Sequence, residues 1–491
     1  MLDRLAKRRR PAPPPAAPGR NGAHPRVLLV DAPGKLHTLP DVARELRRRG
    51  AELLVASRYE KHGLSPKLPP DLHADPGLNA VRLPFAHTGR DETAIAMFRS
   101  AASALWAGDP RLASARMTRV RVNRRYRKWL RVGLERLGDP DGVERFDELR
   151  DRAADLGSFD PHPAAYAALR LLVHEVERML PPPTGLVEAI AAAGPDLVFV
   201  LSRCSPGGVE PDVLKAARKL GLPTVLLVWS WDNLSSKSLV SVYPDEMLVW
   251  NEIQRREAAE LHGIPPERVV AVGSANFDAF FAELAAIAPS GRRADGPGRV
   301  LYLGSSLGLG PDEPAIFERW LEAVRASPDE LVRSSAVVVR PHPAEKARWA
   351  ERFSGGDGLA LSLPGEGTSL AEALAACDVV VALNTSAELE AAAAGRPVLT
   401  FRAGESDAPG QEGSKHFEYL LAGEGGFVVL ADSLDAHLQD LGEALRGVGD
   451  AVEAGLRFAE EFLRPRGLGT PVAPLVADAV LHRVGVAFPA S

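Results

Sequence analysis

From Arg26 onward, short apolar runs and amphipathic stretches take turns along the chain. RVLLVDA and ELLVAS are unbroken apolar runs of strand length, and LPDVARELRRRGA between them has a helical period. Further on, PDLVFVLS, PTVLLVWS, DEMLVWN and ERVVAVGS read as strands, with EPDVLKAARKLG and EIQRREAAELHG as helices. Residues 284–298, LAAIAPSGRRADGPG, end in a turn-rich linker without a strand. The alternation then restarts with strands RVLYLGSS, AVVVRPHP, LALSLP and CDVVVAL, separated by helical PAIFERWLEAVRAS, AEKARWAERF and SLAEALAAC. Unbroken apolar strands are buried on both faces, so each run of alternation predicts a parallel sheet with helices on either side and right-handed crossovers. The fold class is therefore α/β, with two Rossmann-like doubly wound lobes over 26–285 and 298–465. Ligands in such sheets bind where the strands end at their carboxyl side. Residues 466–491 are expected to carry a helix, about 470–485, that packs back across the lobes.

Residues 90–185 break the alternation and predict a helical insertion in the first lobe. Nine basic residues fall within 116–136, with Trp129, Leu130, Leu134 and Leu137 at helical spacing. This segment is either a solvated surface helix or a contact for an anionic acceptor or the anionic inner face of a membrane. The chain as a whole has 59 Lys+Arg against 64 Asp+Glu, a net charge of −5, which gives no footprint for nucleic acid. Its two cysteines, Cys204 and Cys377, lie far apart beside apolar strands, which disfavours a disulfide framework and points to a reducing compartment. Residues 1–25 are basic and Pro-rich without an apolar core, so they read as a disordered tail rather than a secretory signal. A cytoplasmic protein, at most peripheral at the inner face of the plasma membrane, is the expectation.

Candidate chemistry concentrates at strand ends. In ALNTSAELEAAAAGRPVLT (382–400), Thr385 and Glu388 match a capping box, and Gly395 with Pro397 ends the helix. Asn384, Thr385 and Ser386 also offer donors at a helix start, where phosphate binds. Glu390 lies about 200° around the helix from Glu388. There it can accept the two hydroxyls of a ribose. A capped helix and a nucleotide site both fit these residues.

ELEAAAAGRPVLT resembles the nucleotide-binding segment of GT-B glycosyltransferases, in which the acid matching Glu390 holds the donor ribose. RPHP, at 340–343, resembles the bacterial surface-carbohydrate branch: capsule polysaccharide transferases and CDP-glycerol glycerophosphotransferases. The resemblance implies a nucleotide-sugar donor in the second lobe, UDP-, GDP-, CMP- or CDP-linked, and no metal or other cofactor. It also implies Arg340 and His342 at the donor phosphates, with His342 able to assist the leaving group. Gly304, Ser305 and Ser306 of LGSSLGLG read either as a second turn for the phosphates or as an ordinary strand-end loop, and Lys415 and His416 either as the basic residues that related enzymes carry near the donor or as a polar loop. PGKLHTLP is similar to the first loop of inverting GT-B enzymes and implies His37 as general base toward the acceptor hydroxyl. Its partner acid is not evident; Asp91 and Asp109 are candidates. In WSWDNLSSK, Asp232 reads either as a sugar-binding or acid–base group or as part of an Asx turn. The expected activity is metal-independent transfer of a sugar to a glycan or lipid-linked acceptor of a surface polysaccharide. A CDP-glycerol-type glycerophosphotransferase, a UDP-N-acetylglucosamine 2-epimerase-like enzyme and a non-catalytic nucleotide-sugar-binding protein remain alternatives.

Overall fold

The computed structural model describes residues 24–485 apart from 60–62, 113–115, 137, 139–140, 143, 146–147, 149–162, 206, 288–295, 307–312, 354–358, 384 and 403–414. The expected N-terminal tail, Asn384 and the glycines of 307–310 fall almost wholly or wholly outside these residues.

Among the described residues, thirteen strands form two sheets whose neighbouring strands all run parallel. The first contains β1 (Arg26–Asp31), β2 (Glu52–Ser57), β3 (Leu78–Ala80), β4 (Leu197–Ser202), β5 (Thr224–Val228), β6 (Glu246–Val249) and β7 (Val269–Ala271), in the order β3-β2-β1-β4-β5-β6-β7. The second contains β8 (Arg299–Leu303), β9 (Ala336–Arg340), β10 (Leu359–Leu361), β11 (Val379–Ala382), β12 (Val398–Phe401) and β13 (Val428–Ala431), in the order β10-β9-β8-β11-β12-β13. In both, the order reverses beside the first strand, between β1 and β4 and between β8 and β11. These are the switch points at which doubly wound sheets open a crevice. Two Rossmann-like lobes are the architecture the sequence implied.

The apolar strands are continuous because both faces are covered. Val27 and Leu29 join one core and Leu28 and Val30 the core on the opposite face. The second sheet divides in the same way, with Leu301 and Val380 on one side and Val300, Tyr302 and Val381 on the other. One of these cores also takes in Trp231, Trp250 and Phe277 from the first lobe.

The chain crosses between the lobes a second time after the helix Ala451–Leu463. Ser274 N–H donates to the Leu463 carbonyl at 2.8 Å, and Asn251 Nδ2 to the Phe462 carbonyl at 2.9 Å. Gly273 has φ 101°, and a Cβ there would meet Val472 Cγ2 at 2.7 Å and the Leu463 oxygen at 2.8 Å. Beyond the crossing, Asp278 pairs with Arg464 at 2.7 Å and accepts the Val472 and Ala473 N–H groups that begin the helix Ala473–His482. That helix packs on the first lobe, burying Val472, Val476 and Leu481 with Val42 and Leu46.

The insertion supplies the helices Gly89–Ala107, Arg116–Arg136 and Pro163–Met179. Arg99 anchors it by forking onto Glu177 and onto Asp212 of the helix Glu210–Lys219, while Lys215 reaches Glu177 at 2.8 Å.

Candidate functional site

Strand register assembles the edge of the second lobe. Leu303 of β8 pairs with Arg340 of β9 on one side and with Ala382 of β11 on the other. The segments 304–306, 340–342 and 383–386 therefore leave the sheet side by side at its switch point. Gly304 permits the close fit, because a Cβ there would lie 3.2 Å from Pro341 Cα and 3.4 Å from His342 N.

The donors on these segments divide into two groups. Ser305 is committed internally: its N–H donates to Glu313 Oε2 at 2.6 Å and its hydroxyl lies 3.3 Å from Oε1. In this structure the Ser305 donors expected to face a phosphate meet the buried Glu313 side chain instead. Burial raises the Glu313 pKa to about 7, against the opposing Ser305 hydrogen bonds. Thr385 is committed too, its N–H lying 3.5 Å from Glu388 Oε1 and its hydroxyl accepting from Ala387 N–H at 3.4 Å. Only one arm of the capping box is formed. Ser386, by contrast, is exposed and its side chain makes no cap bond. Ser306 is half-buried beside it along the same edge.

Arg340 Nη1 donates to Ser362 Oγ at 2.7 Å and to the Thr368 carbonyl at 2.9 Å, which fixes the guanidinium plane. His342 Nδ1 accepts from Ala344 N–H at 3.1 Å. A neutral ring then carries its proton on Nε2, and burial lowers the His342 pKa, so the group presents an N–H donor rather than an imidazolium.

Glu390 sits in the helix Ala387–Ala393. Its Oε2 is sealed from solvent and has no hydrogen-bond partner. Burial raises its pKa to about 7, with only its own backbone N–H opposing the shift. Gly395 closes the helix with φ 65°.

The facing edge belongs to the first lobe. His37 lies in a single turn, Leu36–Thr38, after β1. Asp31, which ends β1, holds that turn by accepting the N–H groups of Lys35 (2.8 Å) and Leu36 (2.9 Å). Burial raises the Asp31 pKa, and the two N–H groups and then the His37 charge work against it. Asp31 is near enough to His37 to feel its charge. Asp91 is exposed on the insertion, and Asp109 is engaged by Arg111 at 2.5 Å. Sequence order hid this proximity, because Asp31 reads as part of a strand.

Asp232 lies near His416 where the lobes join. Asp232 Oδ2 accepts from Ser236 Oγ at 2.7 Å and from Lys237 Nζ. Burial pushes its pKa up, but Lys237, His416 and Ser236 outweigh burial and hold it below the usual carboxylate range. Lys237 and Ser236 thus favour Asp232 as an anion. His416 stacks edge-on against Trp231 with centroids 4.8 Å apart. Lys415 lies over the Tyr419 ring, and Tyr419 donates to Glu257 across the junction at 3.0 Å. Lys415 and His416 thus line the lobe junction. Both cysteines are free and buried, and burial pushes each thiol up to about 12. Among the described residues no helix is long and apolar enough to cross a membrane.

No protein-family model and no curated protein sequence matches the chain. Solved structures do resemble it in outline. MurG from Acinetobacter baumannii aligns over 94% of this chain and 100% of its own, at 12% identity and a TM-score of 0.46. UDP-GlcNAc 2-epimerase from Methanocaldococcus jannaschii aligns over 93% and 99%, at 12% identity and a TM-score of 0.45. The spinosyn rhamnosyltransferase SpnG aligns over 93% and 100%, at 14% identity and a TM-score of 0.43. The chain's own strand orders make it a protein of two Rossmann-like lobes, which its second crossing ties together.

Proposed function

We propose that the chain is a metal-independent glycosyltransferase that binds a nucleotide-activated sugar at the edge of its second lobe. The acceptor is a hydroxyl of a surface glycan or a lipid-linked precursor, bound by the first lobe. The observation that carries this reading is Glu390: a carboxylate oxygen sealed from solvent without a partner, one turn into the helix that the exposed Ser386 begins. A buried acceptor left unpaired costs about 1–3 kcal/mol, and a ribose diol would satisfy it. Ser386, the free edge of Arg340 and the Nε2–H of His342 supply positive and polar groups for the diphosphate, which in this reading replace a metal. On the first lobe His37, held by the Asp31 turn, takes the proton of the acceptor hydroxyl as it attacks the anomeric carbon. The nucleoside diphosphate leaves with the electron pair of the broken bond.

The test is a titration of the full chain with UDP-, GDP- and CDP-linked sugars by calorimetry, with Arg340→Ala alongside. Binding of one nucleotide series, weakened about tenfold or more in the variant, is expected. Absence of binding to every series overturns the proposal. Turnover of donor without acceptor would mark an epimerase instead, and release of CMP a glycerophosphotransferase.

A further inference from the structure

The first lobe gathers positive charge at its own switch point. Lys35 follows β1, Arg58 follows β2 and Arg203 follows β4, all at the carboxyl edge of the sheet. Lys35 Nζ lies 5.6 Å from the centre of the Trp229 ring, and the Arg203 guanidinium carbon 5.4 Å from it, so both cations crowd one aromatic. Trp229 is itself pinned by a 3.0 Å bond from its indole N–H to Thr38, the neighbour of His37. Tyr59 bridges the group: its ring packs against Gly34 and under the Arg58 guanidinium at 5.4 Å.

The fourth cation comes from the insertion. Arg125 of the helix Arg116–Arg136 lies in the space above Gly207, where any Cβ would run into its Nη2. Arg58 Nη1 donates to the carbonyl of that same Gly207 at 3.0 Å. Two guanidinium groups thus converge on one residue. Arg125 Nε is sealed from solvent without a partner. The Arg125 pKa is lowered, by burial first and then by the Arg58 charge.

Acids do not balance this group. Among the described residues no carboxylate forms an ion pair with Lys35, Arg58, Arg125 or Arg203. Asp31 spends both oxygens on the Lys35 and Leu36 N–H groups. Glu210 feels the Arg58 charge; its Oε1 accepts from Ser202 Oγ at 2.7 Å, its Oε2 is buried without a partner beside Gly208, and burial raises its pKa. Like charges gathered beside apolar walls focus a potential that only an anion relieves. Paired arginine forks match the oxygens of phosphate.

We propose that this crevice binds the phosphate or diphosphate of the acceptor, with Arg125 carried into it by the insertion helix. The assignment of substrate class rests on the first lobe being the acceptor lobe. The insertion thereby becomes part of the acceptor site, and an uncharged glycan lacks the group this crevice recognises.

The test is calorimetry of the full chain with inorganic pyrophosphate and with farnesyl diphosphate. Wild type is compared with Arg125→Gln, Arg58→Gln, the double variant and Arg340→Ala, with folding checked by thermal unfolding. Arg58 is exposed, so its variant reports even if Arg125→Gln does not fold. About tenfold or greater loss of farnesyl diphosphate binding in the first-lobe variants is expected, while Arg340→Ala loses at most the share of pyrophosphate held at the edge of the second lobe. Unchanged binding in the folded first-lobe variants, or loss confined to Arg340→Ala, overturns the inference. Nucleotide-sugar binding measured on the same variants separates the two proposals, because it depends on the second lobe alone. Farnesyl diphosphate binding more tightly than pyrophosphate identifies a lipid-linked acceptor; equal affinities identify a soluble phosphorylated one.

Discussion

Replacing Glu390 by Gln should stabilise the protein at alkaline pH while weakening its grip on nucleotide. In the unfolded chain a glutamate loses its proton near 4.5, whereas in the fold burial retains it to about 7. The folded state therefore holds more protons than the unfolded one between those values, and stability falls as pH rises through that window. The gap corresponds to about 3 kcal/mol at about 1.36 kcal/mol per pH unit, a ceiling because part of the residue reaches solvent. In a lobe of this size that is roughly 6–12 °C of unfolding temperature. Gln is near-isosteric with the neutral acid and leaves a similarly unpartnered donor, so the two proteins should match near pH 5 and diverge by pH 8. Thermal unfolding across that range, with nucleotide titrations at each pH, measures both effects. Nucleotide affinity of the wild type should rise with pH through about 7, since ribose hydroxyls donate to the ionised form. A variant that tracks wild type across the whole range, or that falls below it at pH 8, would contradict both the buried carboxylate and its role.

Three further outcomes are expected. His37→Ala should lower turnover about 10²–10⁴-fold and leave donor affinity nearly intact, as steady-state kinetics with direct binding will show; loss confined to donor binding removes the base assignment. Asp278→Ala strands Arg464, which is only 5% exposed, and uncaps the final helix, so denaturant unfolding should lose about 3–5 kcal/mol. Tyr419→Phe removes a hydrogen bond that favours the ionised form of Glu257, whose pKa burial raises to about 7. Its cost, about 0.5–1.5 kcal/mol, should be greater at pH 8 than at pH 6.

Periodicity made the two sheets legible because their strands are buried on both faces, which writes an unbroken apolar run into the text. The edge strands were harder. β3 is three residues with two exposed, and Val428–Ala431 is half open to solvent, so neither carries that signature. The donor edge was readable as separate turns. Their alignment at one switch point follows from register, which no single turn encodes. What sequence could not supply was the state of each polar group. Glu313 lies eight residues beyond Ser305 and reads as the first turn of a helix, yet it takes the serine's donors. Asp232 reads as a cleft acid, but Lys237 and Ser236, its near neighbours in the chain, lock it as an anion. Gly207, where Arg58 and Arg125 meet, brings together residues 67 positions apart.

The second crossing limits how this molecule can be divided. A cut in the 288–295 region separates the two sheets in sequence but leaves Ala473–His482 seated on the first. Two pieces expressed from a gene divided there should travel together until a denaturant parts them. A fragment ending at residue 287 would bare the apolar bed that Val476, Val480 and Leu481 normally cover, and would aggregate. Grafting residues 471–485 back onto that fragment is the route to a separately soluble first lobe.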